Sequence, residues 1–207
     1  NTYSGGTTVG LFGQLAIGNA NALGTGGLTI GSSLGATLLG MATETITNPL
    51  TVNFSATIAA AHGQTFTLVP SSLAWNANTG DVVTFGAAGQ DGTVAFGSAA
   101  GIVNHPSTYT IVVQDGTLRP TDSELGVILS ADQHTTIEAT GTLDAAGFNL
   151  TVNDLRVVGG LILLVLSISN LIFGDYRRRD PTEGGEEDLA SVGIVPLGKK
   201  PFHPFQA

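Results

Sequence analysis

The sequence predicts an all-β chain wound as a right-handed parallel β-solenoid, followed by a tail that does not share the repeat. Three observations carry that expectation. The first forty residues, NTYSGGTTVGLFGQLAIGNANALGTGGLTIGSSLGATLLG, alternate short apolar groups with Gly, Asn, Ser and Thr. Each group has apolar surface for a strand of about three to five residues, which buries no core alone but builds a continuous one when stacked on its neighbours. Strand-like segments then recur about every ten to twelve residues, rich in Val, Ile, Thr, Phe and Tyr. Finally, only 11% of residues are charged, against about 25% in an ordinary globular domain. Surface polarity therefore falls to Thr, Ser, Asn and the 29 Gly.

The predicted strands lie at 7–9, 14–17, 28–30, 36–39, 50–54, 65–69, 82–85, 93–96, 109–113, 127–129, 135–138, 149–152 and 161–166. No stretch before residue 155 shows the 3.6-residue spacing of an amphipathic helix. Two echoes support a repeat: Leu50-Thr-Val-Asn53 returns as Leu150-Thr-Val-Asn153, and Gly116-Thr-Leu118 as Gly141-Thr-Leu143. The second echo, at 25 residues, fits one coil of a three-sided β-helix. A sandwich or barrel also suits strands at this spacing, but tight hairpins favour Asn-Gly or Asp-Gly turns. No Asn-Gly occurs here, and Asp-Gly occurs only at Asp91-Gly92 and Asp115-Gly116.

Several motifs together resemble the autotransporter-associated β-strand repeat of bacterial passenger domains. They are Tyr3-Ser-Gly-Gly-Thr-Thr-Val9, Gln14-Leu-Ala-Ile-Gly-Asn19, Ala22-Leu-Gly-Thr-Gly-Gly-Leu-Thr-Ile30, and residues 134–154 with Gly141-Thr-Leu-Asp144 and Gly147-Phe-Asn149. The resemblance covers about residues 1–156. It implies a secreted or surface-displayed parallel β-helix, associated with the bacterial outer membrane.

Residues 157–207 read differently. Val157 to Phe173 is uncharged for 17 residues and is followed by Arg177, Arg178 and Arg179. Residues 157–176 suit either buried strands at an association interface or a short membrane segment with a basic flank. Either cover would hide on the order of 1,500–2,000 Å² of apolar surface, tens of kcal/mol gross at about 25 cal/mol per Å². Residues 177–207 form a charged linker broken by Pro181 and Gly184-Gly185, then an extended tail with Phe202 and Phe205 between Pro196, Pro201 and Pro204. Partners are expected through residues 157–207, as other protein chains in self-association or in a larger surface assembly, with membrane contact through Val157, Leu161, Leu164, Leu166, Ile172 and Phe173.

No constellation points to catalysis, a cofactor or a metal. Absence of Cys removes disulfides, thiolate metal sites and thiol chemistry. His62, His105, His134 and His203 have no metal-ligand spacing. Asp81, Asp91, Asp115, Asp122, Asp132, Asp144 and Asp154 are scattered about one per coil, as corner residues bonding their own backbone or as facing carboxylates for Ca²⁺ or acid catalysis. Gly86-Ala-Ala-Gly-Gln-Asp91 is a weak match to the calcium nonapeptide. Trp75, beside Asn76 and Asn78, either stacks on a sugar or caps the core. A pectate-lyase-like enzyme acting on acidic polysaccharide needs cations, and residues 1–155 hold a single one, Arg119. The net charge of −9 also argues against nucleic acid. A structural or adhesive surface solenoid is the expected class, with a membrane-anchored accessory subunit as the alternative.

Overall fold

The computed structural model describes residues 2–103, 109–131, 134–152 and 154–158. The first coil holds β1 (Thr7–Val9) and β2 (Gln14–Ile17); the second holds β3 (Leu28–Ile30), β4 (Thr37–Gly40) and β5 (Glu44–Ile46). The third holds β6 (Leu50–Asn53) and β7 (Ala56–Leu68); the fourth β8 (Leu73–Asn76), β9 (Val82–Phe85) and β10 (Asp91–Phe96). The fifth holds β11 (Ile102–Val103) and β12 (Thr110–Pro120). Helix α1 (Glu124–Ala131) and β13 (His134–Leu143) make the sixth, and β14 (Leu155–Val157) follows. Strands of successive coils pair in parallel, giving a parallel β-solenoid of about six turns.

Each complete coil has three faces. The first is the sheet β1-β3-β6-β8-β11. The second and third share one sheet, because β7, β12 and β13 run round the corner between them, whereas the second and fourth coils break the same path into β4 and β5 or β9 and β10. Residues of one face stack in register about 4.8 Å apart, so inward positions form axial ladders. Val9, Ile30, Val52 and Trp75 make one on the first face. Leu15, Leu38, Ile58, Phe85, Val113, Ile137 and Val157 make another on the second. Phe66, Val94, Leu118 and Leu143 make one on the third. Outward positions carry ranks of Thr: Thr8, Thr29 and Thr51; Thr37, Thr57 and Thr84; Thr65, Thr93, Thr117 and Thr142. Thr suits them because its branched β-carbon fits the pleat while its hydroxyl meets water.

Both sequence echoes are echoes of position. Gly116, Thr117 and Leu118 stand directly against Gly141, Thr142 and Leu143. Leu150 and Val152 are partly buried against the core, with Leu150 stacked near Gly126 of α1, at the first-face position that Leu50 and Val52 occupy in the third coil. They are not a strand, so the strand expected at 149–152 does not form.

The coils are longest in the middle of the described solenoid: along the second-face ladder successive residues are 23, 20, 27, 28, 24 and 20 apart. Val9, Ile30, Val52 and Trp75 are 21, 22 and 23 residues apart, whereas Ile58, Phe85 and Val113 are 27 and 28 apart. Longer coils enclose more volume, and aromatic rings fill it. Trp75 meets Phe96 edge-on at 5.9 Å and Tyr109 at 5.7 Å, while Phe85 meets Phe96 at 5.6 Å. Trp75, Phe85, Phe96 and Tyr109 are all fully buried. Room for the Phe66 ring comes from Gly40, where an added β-carbon would lie 2.3 Å from that ring.

Helix α1 corrects two expectations, the strand at 127–129 and the absence of helix before residue 155. It occupies the first-face position of the sixth coil, where Leu125, Ile128 and Leu129 are fully buried. Asp122 caps its start, accepting the Glu124 N–H through Oδ1 at 2.9 Å, and holds the preceding coil by accepting the Ser98 N–H through Oδ2 at 2.8 Å. The Tyr109 hydroxyl donates to the Ile128 carbonyl at 2.8 Å, tying the aromatic cluster to the helix.

Trp75 provides a test of the packing. Its Nε1 is buried without a hydrogen-bond partner in the described structure, so part of what its ring contributes is offset by an unsatisfied donor. Trp75→Ala is expected to cost about 3–5 kcal/mol in denaturant unfolding. Trp75→Phe removes that donor together with some area, and is expected to cost less than about 1.5 kcal/mol. Equal costs for the two would contradict this account of the core.

Candidate functional site

The corner between the second and third faces gathers three of the polar candidates, His62, Asp91 and Asp115. His62 in the third coil lies 2.6 Å from the Asp91 Oδ1 of the fourth, both well exposed. Asp115 of the fifth coil accepts the Gly89 N–H through Oδ2 at 3.0 Å and the Gly116 N–H through Oδ1 at 3.1 Å. Residues 86–91, the nonapeptide-like stretch, make a tight turn in which the Gln90 N–H donates to the Ala87 carbonyl at 2.8 Å. Elsewhere Asp81 accepts the Asn78 N–H at 2.7 Å and Asp144 the Ala146 N–H at 2.9 Å. Asp154 pairs with Arg156 at 3.0 Å. The aspartates thus serve corner backbone or local pairs, as short carboxylates do where the chain must turn. No group of three or more ligating side chains converges on a cation site among the described residues. Asp132, His105 and His203 lie outside the described residues.

Two further candidates are placed by the core. Trp75 is fully buried, so the sugar-stacking reading is overturned and the core reading stands. His134 begins β13, with Nε2 at 3.5 Å from the Thr110 hydroxyl and a buried Nδ1.

The corner between the first and second faces was not singled out by sequence reasoning. It presents Leu11 and Phe12 in the first coil, Leu34 in the second and Phe54 in the third, exposed by 72%, 74%, 52% and 48%. Hydrogen bonds between coils knit these positions into one seam. The Ser32 Oγ accepts the Leu11 N–H at 3.0 Å, and the Gly35 carbonyl accepts the Phe12 N–H at 2.8 Å. The Ser55 carbonyl accepts the Ser32 N–H at 3.1 Å, and the Ser55 Oγ accepts the Val82 N–H at 3.1 Å. Leu11, Phe12, Leu34 and Phe54 therefore follow one corner through three successive coils, as a short axial ridge of exposed apolar residues.

Its backbone is unusual. Leu11, Phe12 and Phe54 have φ of 48°, 61° and 54°, left-handed values that cost a bulky residue about 1–3 kcal/mol. Glycine serves the same corner in the second coil, where Gly31 has φ 107° and an added β-carbon would strike the Asn53 carbonyl. A signal was present in the sequence: large apolar residues outside the strands at 12, 34 and 54, spaced 22 and 20 apart, the length of a coil.

Glu44 is the other departure from pattern. It stacks against Phe66 at an inward position of the third face, and both carboxylate oxygens are buried without a hydrogen-bond partner. Burial pushes its carboxyl above the ordinary value of 4.5.

Of the expected partner residues, Val157 ends β14, stacks on Ile137 and is 42% exposed. Leu161, Leu164, Leu166, Ile172 and Phe173 lie outside the described residues, as do the strand expected at 161–166 and the 177–207 tail. No helix among the described residues is long and apolar enough to cross a membrane. Compared with known proteins, the chain matches no family model, no curated protein and no solved structure.

Glu44 yields a pH-dependent expectation. With its folded-state pKa above 4.5, the folded chain binds the extra proton, so its contribution to stability is greatest below about pH 4.5 and falls as pH rises through the folded value. Glu44→Leu, which continues the apolar ladder, is expected to stabilise the chain by about 1–3 kcal/mol at pH 7. The gain should shrink at pH 4, measured as the difference in urea midpoint between variant and parent. A gain that grows on acidification would contradict the burial of this carboxylate.

Proposed function

We propose that the chain is a structural, adhesive β-solenoid of the passenger type, displayed on a bacterial cell surface or secreted, and not an enzyme. One observation carries the reading: each coil repeats one plan, an apolar ladder within and ranks of Thr without, while acidic side chains serve the corners. Such a body presents a regular surface over its whole length and owes its shape to repetition rather than to a cleft. The resemblance of residues 1–156 to autotransporter-associated repeats supports the same class. So does the poverty in cations. Arg119 and Arg156 are the Lys or Arg side chains before residue 158, and Arg156 is paired with Asp154. A lyase working on uronate polymers needs positive charge beside the substrate carboxylate.

In this reading the displayed element expected at 1–156 extends to residue 158, because β14 runs to Val157 and pairs with β13, and residues 159–207 are the attachment element, whose partner is another protein chain or the membrane. The accessory-subunit alternative rests on the apolar run to Phe173 with Arg177, Arg178 and Arg179 after it. Removing residues 159–207 leaves every described strand in place and is expected to give a soluble, β-rich product that no longer co-sediments with cells or its assembly. Continued co-sedimentation of the shortened chain would overturn the division of labour. Extraction of the native protein by salt identifies attachment through another chain, and release by detergent alone identifies the membrane-anchored alternative.

A further inference from the structure

We propose that the ridge of Leu11, Phe12, Leu34 and Phe54 is a homodimerisation surface, on which a second copy of this chain docks antiparallel about a two-fold axis at Leu34. The inference rests on the scaffold reading and adds to it the surface and the partner.

Area comes first. A fully exposed aromatic side chain offers about 150–250 Å² and a leucine about as much as the lower figure, so the exposures of Leu11, Phe12, Leu34 and Phe54 sum to on the order of 450 Å² along one corner, within the ~300–600 Å² range where the largest patch of a monomer is often functional. Two ridges bury about twice that, and their Thr, Ser and Asn rims carry the total to about 1,000 Å², the lower bound for a specific interface.

Charge selects the second copy as occupant. The chain carries a net charge of −9, yet Glu44 is the one Asp, Glu, Lys or Arg among residues 1–80, its carboxylate oxygens are turned inside, and His62 sits at another corner beside Asp91. Coils one to three are thus the part of an acidic molecule that an identical molecule can approach without like charges across the contact. A partner recruited by charge would find nothing there to read.

Geometry fits a closed pair. The apolar residues lie in three consecutive coils with Leu34 in the middle one, so reversing the partner sets Leu34 on Leu34, Phe12 on Phe54 and Phe54 on Phe12. That is the self-complementary pattern of a two-fold interface. An interface of this size is weak between free molecules. Copies tethered side by side reach effective concentrations of about millimolar, where weak contacts fill.

The absence of Cys makes the test direct. In the full-length chain, Leu34→Cys is expected to give a disulfide-linked homodimer on mild oxidation at least fivefold faster than Ala88→Cys, an exposed control on another corner. Phe12→Cys and Phe54→Cys are expected to cross-link to each other when mixed, faster than either does alone. Phe54→Asn separates association from folding, because Asn tolerates positive φ better than Phe. It is expected to raise the unfolding midpoint while weakening dimerisation at least tenfold in sedimentation equilibrium.

If Leu34→Cys cross-links no faster than the control, or Phe54→Asn sediments as the parent does, the dimer is overturned. Binding of the parent to phosphatidylcholine vesicles that Phe54→Asn abolishes, with the parent monomeric, assigns the ridge to lipid instead and also overturns it. Either result leaves tail-dependent attachment intact if the scaffold reading holds. Attachment that survives loss of residues 159–207 counts against that reading and not against the ridge.

Discussion

Register is the constraint on which everything else in this chain depends. Parallel strands stacked about 4.8 Å apart admit no sideways adjustment, so a residue facing inward in one coil dictates what can face inward in the next. Ile58 under Phe85 under Val113 is one column of such decisions. A one-residue slip would send every Thr of the outer ranks into the core and every Leu, Ile and Val into water. Residues between the strands are freer. Corners change length from coil to coil, and the register shifts seen between β7 and β10 and between β12 and β13 fall at corners.

That division explains which parts were legible in the sequence. The solenoid class, most of its strands and the 25-residue echo all follow from alternation on straight faces, where the physics is local. Asp81, Asp115, Asp122 and Asp144 were readable as corner residues for the same reason, since a short carboxylate bonding nearby N–H groups needs no distant partner. Strands β5 and β8 were missed because their inward residues break the expected pattern. Glu44 puts a carboxylate where an apolar residue belongs, and Trp75 is of a size that only the wide fourth coil can take.

Helix α1 was missed for another reason. Val127-Ile-Leu129 is an apolar run too short for periodicity to tell a strand from a helix. What decides is tertiary: the Asp122 cap, the Tyr109 hydroxyl on the Ile128 carbonyl, and an open interior for Leu125, Ile128 and Leu129 to close. The apolar ridge was invisible to a strand search because its residues lie between strands. Only the coil length, known once the register is known, brings positions 12, 34 and 54 together.

The helix also sets how this rod responds to force. Through the first five coils an axial load is shared by hydrogen-bond ladders on both sheets. At α1 the first-face sheet ends with β11, and among the described residues only the other sheet continues, through β13 to β14. Tension passing that level falls on the one remaining ladder and on the single hydrogen bonds that tie α1 back, from the Ser98 N–H to Asp122 and from the Tyr109 hydroxyl to the Ile128 carbonyl, so fewer inter-coil bonds share the load there. The five coils before it keep both ladders, so the same load there is divided between two faces.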